Sequence, residues 1–309
     1  MSIAVYTHQS CLDHDPGPGH PESPARLAAV LEALDNPRFA TLQRREAPQA
    51  TPTQIARVHA DALITRVLEE APAQGWRRLD PDTVMSSASA DAALRAAGAV
   101  CAAVDEVIVG PRNRAFCAVR PPGHHATHDT AMGFCLFNSI AIGAAHAIAG
   151  HGIERVAIVD FDVHHGNGTQ DIFWSDPTVM YCSTHQMPLF PGTGAKGERG
   201  DHDTIVNAPL ASEDGGPEFR SAFENLILPQ LEKFSPELLI ISAGFDAHYR
   251  DPLASLNLRA EDYTWVTRKL MDLADKSAGG RIVSVLEGGY DLQGLKESVT
   301  AHVGALMGA

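Results

Sequence analysis

The stretch RVAIVDFDVHHGNG at residues 155–168 decides the fold. Residues 156–159 are apolar and mostly β-branched, without polar alternation, which predicts a strand that is buried on both faces of a parallel sheet. Two aspartates and two histidines follow within six residues, where this strand is expected to end. Because side chains alternate along an extended chain, Asp160, Asp162 and His164 should point to one side together. The stretch therefore predicts metal ligands at the carboxyl end of a buried strand, rather than an acidic strand end whose histidines only make hydrogen bonds.

The same alternation of short apolar and longer amphipathic segments continues along the chain. Strands are predicted at residues 3–6, 115–119, 155–161, 178–183, 237–243 and 281–286. Helices are predicted from Pro24 onward and at residues 53–70, 89–109, 138–149, 217–234, 260–276 and 292–306, with loops at 13–22 and 76–87. This alternation predicts an α/β fold with an open, mainly parallel, doubly wound sheet and helices on both faces. Neither repeats nor linkers divide the chain, so residues 1–309 are expected to form a single domain.

The composition argues against several classes of function. The formal net charge is -14 with neutral histidines, and Lys and Arg form no cluster, which argues against a nucleic-acid partner. The sequence shows neither a signal peptide nor an uncharged stretch long enough to span a bilayer, so we expect a cytoplasmic protein without a membrane partner. The five cysteines are scattered without CxxC spacing, as expected for free thiols in a reducing compartment.

Polar motifs follow five of the predicted strands at their carboxyl ends. They are RPPGHH at residues 120–125, DFDVHH at 160–165, STH at 183–185, GFDAH at 244–248 and EGGY at 287–290. In an open parallel sheet this edge carries the ligand-binding crevice, because the strand order reverses there. Packing alone does not explain five such strand ends. We therefore expect the motifs to share one site.

Three of these side chains suit a divalent metal ion. Asp162, His164 and Asp246 offer carboxylate and imidazole ligands and leave a coordination position open. This arrangement is typical of a catalytic zinc site, because a structural site uses all four positions for protein ligands.

Three other residues offer the remaining chemistry of amide hydrolysis. His124 and His125 are adjacent after a rigid Pro-Pro-Gly turn and can transfer protons. Tyr290 follows two glycines and can donate a hydrogen bond to a developing oxyanion. Taken alone, His124 and His125 would fit a hydrogen-bonded turn equally well, and Tyr290 would fit a half-buried core phenol. Together they favour a catalytic site.

Taken in order from HPE at residues 20–22 and Arg26 to EGGY at residues 287–290, these motifs resemble those of the zinc-dependent histone deacetylase family. The similarity covers nearly the whole chain and is greater to the class II branch, with its bacterial deacetylase and acetylpolyamine amidohydrolase relatives. It implies the arginase–deacetylase fold and the hydrolysis of an N-acyl amide by metal-activated water. It also implies one Zn²⁺ per chain and a structural K⁺. The expected substrate is an acylated lysine peptide or protein, or a similar N-acetylated amine.

The resemblance implies a role for each motif residue. His125 is expected to be the general base, partnered by Asn167, and Tyr290 to stabilise the oxyanion. Asp160 is expected to support His124 from behind. The implied zinc ligands are Asp162, His164 and Asp246, and the implied potassium residues are Asp160, Asp162, His164, Ser183 and Thr184. No catalytic task is implied for His165, which is expected to pack or hydrogen bond beneath the site.

The resemblance also implies a substrate tunnel. Phe134 and Phe190 are expected to sandwich the aliphatic stem of an acyl-lysine. Leu253 stands where polyamine-selective relatives carry an acidic gatekeeper, which disfavours an acetylpolyamine hydrolase of that kind. The implied substrate-binding residues are Phe134, Phe190, Gly133 with its carbonyl, Leu253, Asp82 at the rim and Arg26 in the internal cavity behind the zinc.

Three alternatives remain open. An acetylpolyamine or other small-molecule amide hydrolase would use the same catalytic residues on the same fold. An arginase-like binuclear manganese hydrolase would need an Asp-x-Asp pair where Asp246 stands alone. A non-catalytic module that binds acylated ligands would not need His124, His125 and Tyr290. The Pro/Gly-rich loop at residues 13–22 is also a candidate contact of a homo-oligomer.

Overall fold

The computed structural model describes residues 3–308, and its main feature is an open sheet of eight parallel strands. In chain order the strands are β1 (Ala4–Thr7), β2 (Gln43–Glu46), β3 (Arg77–Arg78), β4 (Val84–Met85), β5 (Arg114–Cys117), β6 (Val156–Asp160), β7 (Val179–Gln186), β8 (Ile205–Leu210), β9 (Leu238–Ala243) and β10 (Ile282–Leu286). Strands β3 and β4 form a separate antiparallel hairpin. The order across the sheet is β2-β1-β5-β10-β9-β6-β7-β8, which confirms the predicted parallel architecture.

Helices occupy most of the connections between strands. They are α1 (Gln9–Asp13), α2 (Pro24–Leu34), α3 (Pro52–Ile55), α4 (Asp61–Glu69), α5 (Ser89–Val109), α6 (Ser139–His151), α7 (Asn167–Ile172), α8 (Gly216–Ala222), α9 (Leu228–Phe234), α10 (Ala260–Ser277) and α11 (Leu292–Leu306). A π-helical segment at Phe223–Ile227 joins α8 to α9, so the two form the one helix predicted at residues 217–234. Among residues 3–308, no helix has both the length and the apolar character that crossing a membrane requires.

Helices cover both faces of the sheet, as predicted. Ile240 of β9 reaches Gly143 of α6, and α6 packs against α5. Val283 of β10 is the register partner of Ile240 and therefore shares its face. The next residue, Ser284, points to the opposite face and hydrogen-bonds to His302 of α11 at 2.7 Å. There α11 packs against α2 and α10.

The sequence did not predict every element. Strand β2, with the sequence QRRE, is exposed along its whole length and so carries no apolar pattern. Strand β8 contains Pro209, which its edge position tolerates. The hairpin β3–β4 lies in a segment predicted as a loop. The helix predicted at residues 53–70 is divided into α3 and α4, because His59 between them bonds to the carbonyl of Thr127 and to the N–H of Asn138.

The strand order brings the polar motifs to one edge of the sheet. Strands β5, β10, β9, β6 and β7 are consecutive neighbours, and each carries one of the five motifs at or beyond its carboxyl end. The motif STH at residues 183–185 lies within the last residues of β7. Because these strands are parallel, their carboxyl ends lie along the same edge. Strand β6, which lies between β9 and β7, is buried along its whole length. The topology of the sheet thus assembles the predicted site.

Candidate active site

Asp162, His164 and Asp246 lie together beyond the carboxyl ends of β6 and β9. Nδ1 of His164 is 3.1 Å from Oδ1 of Asp162 and 3.1 Å from Oδ2 of Asp246. One potential ligand atom from each residue lies within 4.8 Å of the others. All three residues are buried. The structure therefore brings together the three predicted metal ligands, and two carboxylates with one imidazole suit zinc.

The electrostatics of this cluster favour positive charge. Burial raises the pKa of Asp246, and the neighbouring charge of Asp162 raises it further, to about 7. Burial would lower the pKa of His164, but hydrogen bonds to both carboxylates outweigh this effect and raise it to about 10. The two buried carboxylates thus stabilise a cation between them, and a divalent metal ion meets the same requirement.

Backbone groups hold the two carboxylates in place. The N–H of Gly288 donates to Oδ2 of Asp162 at 2.8 Å, and the N–H of Val163 donates to Oδ1 of Asp246 at 2.8 Å. A side chain at Gly288 would overlap both carboxylates, and one at Gly244 would overlap Asp162. The backbone can approach the carboxylates this closely because these two positions are glycine.

His124 and His125 form a pair of imidazoles beside the cluster. Nδ1 of His124 lies 2.9 Å from Oδ2 of Asp160, and Nδ1 of His125 lies 2.8 Å from Oδ1 of Asn167. Burial would lower the pKa of His124, but the charges of Asp160 and Asp162 raise it to about 10. Burial and the charge of His124 hold the pKa of His125 well below its ordinary value. A neutral imidazole therefore stands beside a cationic one.

Tyr290 is fixed through its backbone and its ring. Its N–H donates to Oδ2 of Asp251 at 2.7 Å, and Oδ1 of Asp251 accepts the N–H of Leu253 at 3.0 Å. The guanidinium of Arg26, which is fully buried, lies 4.8 Å from the centre of the Tyr290 ring and donates to the carbonyl of Gly289 at 2.6 Å. Burial raises the pKa of Tyr290 well above its ordinary value, so the phenol keeps its proton and can donate a hydrogen bond.

Two phenylalanines stand at the opening of the site. The ring centroid of Phe190 is 5.1 Å from that of His125 and 6.4 Å from that of His164. The ring centroid of Phe134 is 5.9 Å from that of Tyr290. Phe190 thus lies on the histidine side of the site, and Phe134 lies on the tyrosine side.

Gly133 and Asp82 lie next to Phe134. Gly133 has a φ of +56°, and a Cβ there would come within 2.5 Å of the His125 ring, so only glycine allows this turn. Asp82 and Phe134 line a surface cavity of about 660 Å³ between residues 16–21 and the β3–β4 hairpin. Residues from the two segments predicted as loops, 13–22 and 76–87, therefore line one cavity together with Phe134.

The residues predicted to bind potassium are neighbours on β6, on β7 and in the turn after β6. Asp160 is the register partner of Ser183, and Thr184 follows and is buried. Oδ1 of Asp160 accepts the N–H of Asp162 at 3.1 Å, and Oδ1 of Asp162 accepts the N–H of His164 at 2.9 Å. The five residues are grouped, and a potassium ion among them stays a prediction.

Comparison with known proteins identifies the family of the chain. A family model described as the histone deacetylase domain matches residues 20–306. The chain belongs to the histone deacetylase family. The matched segment contains all the residues described above as the candidate active site, and members of this family hydrolyse acyl amides.

Related proteins agree with this membership. Histone deacetylase 14, chloroplastic, from Arabidopsis thaliana is 39% identical over 98% of this chain and 76% of its own length. A histone deacetylase-like amidohydrolase from Pseudomonas aeruginosa is 38% identical over 93% of this chain and 81% of its own length. The crystal structure of the HDA15 HD domain superposes with a TM-score of 0.94 at 36% identity, covering 99% of this chain and 88% of that one. The predicted membership of the histone deacetylase family and the predicted arginase–deacetylase fold are confirmed.

Two buried acids support the motifs of this histone deacetylase domain, although their role was not predictable from the sequence. Oε1 of Glu22 accepts from Arg26 at 2.8 Å, and Oε2 accepts from Arg120 at 2.7 Å. The carboxylate of Glu287 accepts the N–H of Gly123 at 2.6 Å. Both acids belong to the motifs quoted above, but their pairing joins segments that are far apart in the chain, so no local pattern marks it.

His165 anchors the loop that carries Phe190. Its Nδ1 lies 2.8 Å from Oγ1 of Thr193 in that loop, and its Nε2 lies 3.1 Å from Oε1 of Gln170. The hydrogen bonding predicted for His165 is confirmed. Through these two hydrogen bonds His165 connects the loop at one wall of the site to helix α7.

Proposed function

We propose that the chain is a zinc-dependent deacylase of the class II type that acts on acyl-lysine side chains or similar N-acetylated amines. The observation that carries the proposal is the pair His124 and His125, one cationic and one neutral, with Nε2 of His124 3.9 Å from Oδ1 of Asp162. Amide hydrolysis needs groups that accept and deliver protons at the same pH, and paired residues with opposite pKa shifts provide them.

Asp162, His164 and Asp246 would hold the zinc ion. Their ligand atoms lie close enough together, and the cluster stabilises positive charge. When bound there, zinc supplies Lewis acidity that polarises a carbonyl oxygen and makes hydroxide available near neutral pH.

His125 would act as the general base. Because its Nδ1 faces the amide oxygen of Asn167, the ring proton lies on Nδ1 and Nε2 is free to accept a proton from the attacking water. The imidazolium that results would protonate the leaving amine. His124, which Asp160 keeps cationic, would stabilise the negative charge that develops nearby.

Tyr290 would donate its phenolic proton in a hydrogen bond to the oxyanion. Phe134 and Phe190 would enclose the aliphatic stem of the substrate, with the carbonyl of Gly133 beside it and Asp82 at the rim. Their positions on the two sides of the opening support this role.

Further features belong to the same proposal. A potassium ion at Asp160, Asp162, His164, Ser183 and Thr184 would hold the end of β6 in shape, and residues 1–309 would act as one deacetylase domain. All five cysteines are free and buried, which supports the reducing, cytoplasmic compartment that we expect.

A turnover screen tests the substrate class. Zinc-loaded protein is assayed on acetyl-lysine peptides, longer acyl-lysine peptides, acetylpolyamines and small amides. We expect the highest kcat/KM on an acyl-lysine peptide. A preference for acetylpolyamines would replace this substrate class by a small-molecule one, and a fully zinc-loaded protein that is inert on the whole panel would contradict the enzyme proposal.

Metal retention tests the ligand assignment. Asp162→Ala or Asp246→Ala should remove zinc binding, because two ligands cannot keep the ion in this site. Elemental analysis of the purified variants measures the loss, and Asp171→Ala, at an exposed position of α7, should retain the metal. A variant at either ligand that stays fully metallated and active would overturn the assignment.

A further inference from the structure

A second cluster of metal-ligating side chains lies on helices α5 and α6. Nε2 of His146 is 2.8 Å from Oδ1 of Asp105, and Nε2 of His151 is 2.7 Å from the same oxygen. One potential ligand atom of each residue lies within 4.8 Å of the others. His151 ends α6, and β6 begins shortly afterwards at Val156. The cluster therefore lies toward the amino-terminal edge of the sheet, opposite the active site.

The donor set of this cluster suits a transition metal. Two imidazoles and one carboxylate are ligands that zinc and its neighbours prefer. Helices α5 and α6 pack against each other, so the three side chains converge without any movement of a loop. The side chains of His146 and His151 are 12% and 15% exposed, and that of Asp105 is 49% exposed. A metal ion can thus enter from solvent and keep water in its open positions.

A hydrogen bond from Arg57 defines the state that competes with metal binding. NH1 of Arg57 lies 2.9 Å from Nδ1 of His146. Because a guanidinium only donates, Nδ1 is the acceptor, and the proton of the neutral ring lies on Nε2 and is donated to Asp105. A metal bound through Nε2 needs the other tautomer, so the bond from Arg57 must break. Arg57 is exposed, and its side chain can turn into solvent.

We propose that Asp105, His146 and His151 form a second binding site for a divalent transition metal of the zinc class, separate from the active site. The ion joins α5 to α6 at the edge of the sheet opposite the proposed catalytic residues. Since the ion binds the folded chain, it stabilises the fold by mass action. Arg57 lowers the affinity by holding His146 in the wrong tautomer.

A cobalt titration of the zinc-loaded protein tests the site, because the active site is already filled. The wild-type chain should take up one additional Co²⁺, seen as visible absorption of imidazole-bound cobalt, while its zinc content stays constant. His151→Ala should lose this uptake and keep its turnover. Arg57→Ala should bind Co²⁺ several-fold more tightly, since the competing hydrogen bond is gone.

The control is His202→Ala, which removes an exposed histidine outside the cluster and should bind Co²⁺ like the wild type. The proposal is wrong if the wild type takes up no additional Co²⁺, or if His151→Ala and Asp105→Asn bind it normally. The cluster would then be only a carboxylate that accepts N–H bonds from two imidazoles. Arg57→Ala changes an exposed residue and does not disturb the packing of α5 on α6. An unchanged affinity in this variant would also overturn the proposal.

Discussion

His124 and His125 are adjacent in the chain, with ring centroids 4.0 Å apart, but they bond to partners of opposite character. Nδ1 of His124 meets the carboxylate of Asp160, and Nδ1 of His125 meets the amide of Asn167. Burial would lower both pKa values. The charge of Asp160 reverses this effect for His124 alone, so the two pKa values move apart. The partner of each ring thus decides which imidazole can act as the base.

Asp160→Asn should lower the pKa of His124, because it removes the charge that outweighs burial. We expect kcat to fall by about two orders of magnitude, the scale of one acid–base contribution. An NMR titration of His124 and steady-state kinetics measure the two effects. Asp171→Asn removes an exposed carboxylate from α7 and should change neither. A His124 pKa that does not move would contradict this account.

Asn167→Asp should raise the pKa of His125, because a neutral partner becomes anionic. A base with a higher pKa stays protonated up to a higher pH. The acidic limb of the kcat/KM profile should therefore move to higher pH, by about one unit or more. Asn225→Asp makes the same change at an exposed position of the α8–α9 helix and serves as the control. If the limb stays in place, Asn167 does not tune the base.

Tyr290→Phe removes one hydroxyl and leaves the ring against Arg26 and Phe134. We expect zinc content and folding to stay normal while kcat falls about 10²- to 10³-fold, as the loss of one oxyanion donor does elsewhere. Tyr249→Phe removes an exposed hydroxyl outside the candidate site and should turn over normally. Near-normal rates in Tyr290→Phe would refute its role in the reaction.

The central strands of the fold could be predicted from the sequence, but the edge strands could not. Strand β6 is buried on both faces, so burial leaves an apolar run that a single sequence displays. Strand β2 pairs with β1 through its backbone alone, and its four exposed side chains carry no trace of that pairing. Patterns of burial are visible in a sequence, whereas patterns of backbone hydrogen bonding are not.

The same limit applies to the candidate site. Asp162 and His164 were predictable as a cluster because one strand end carries both. Asp251, which holds the backbone of Tyr290, is one of many acidic residues in loops, and nothing in its neighbourhood marks this partner 39 positions away. The candidate metal ligands and catalytic residues lie in motifs that the sequence displays. The residues that position them can be identified only in the folded chain.

His165→Leu should loosen the loop that carries Phe190, because it removes the bonds to Thr193 and Gln170. Since Phe190 is expected to bind the substrate stem, we expect KM to rise roughly tenfold with a smaller change in kcat. Thr193→Val removes only one of the two hydrogen bonds and should raise KM by a smaller factor. Loss of zinc from His165→Leu would show instead that the residue supports the metal cluster.

His302 should make the fold sensitive to acid. It is fully buried between α10 and β10, with hydrogen bonds to Thr267 at 2.6 Å and to Ser284 at 2.7 Å, and burial lowers its pKa to about 3. In the unfolded chain His302 takes up a proton near pH 6.5, whereas in the folded chain the buried ring does not. The stability that His302 contributes is therefore complete above that pH and is lost as the pH falls toward 3.

The loss amounts to about 1.4 kcal/mol per pH unit in this range, so His302 should account for about 2 kcal/mol between pH 6.5 and pH 5. Urea unfolding of the wild type and of His302→Gln at the two pH values measures it. His59 and His185, whose pKa values burial lowers to about 4, contribute equally to both proteins and cancel in the comparison. His202→Gln, at an exposed position, should keep the full wild-type slope. An equal slope in His302→Gln would mean that the buried ring is protonated in the folded chain, since a group that binds its proton equally in both states adds no dependence on pH.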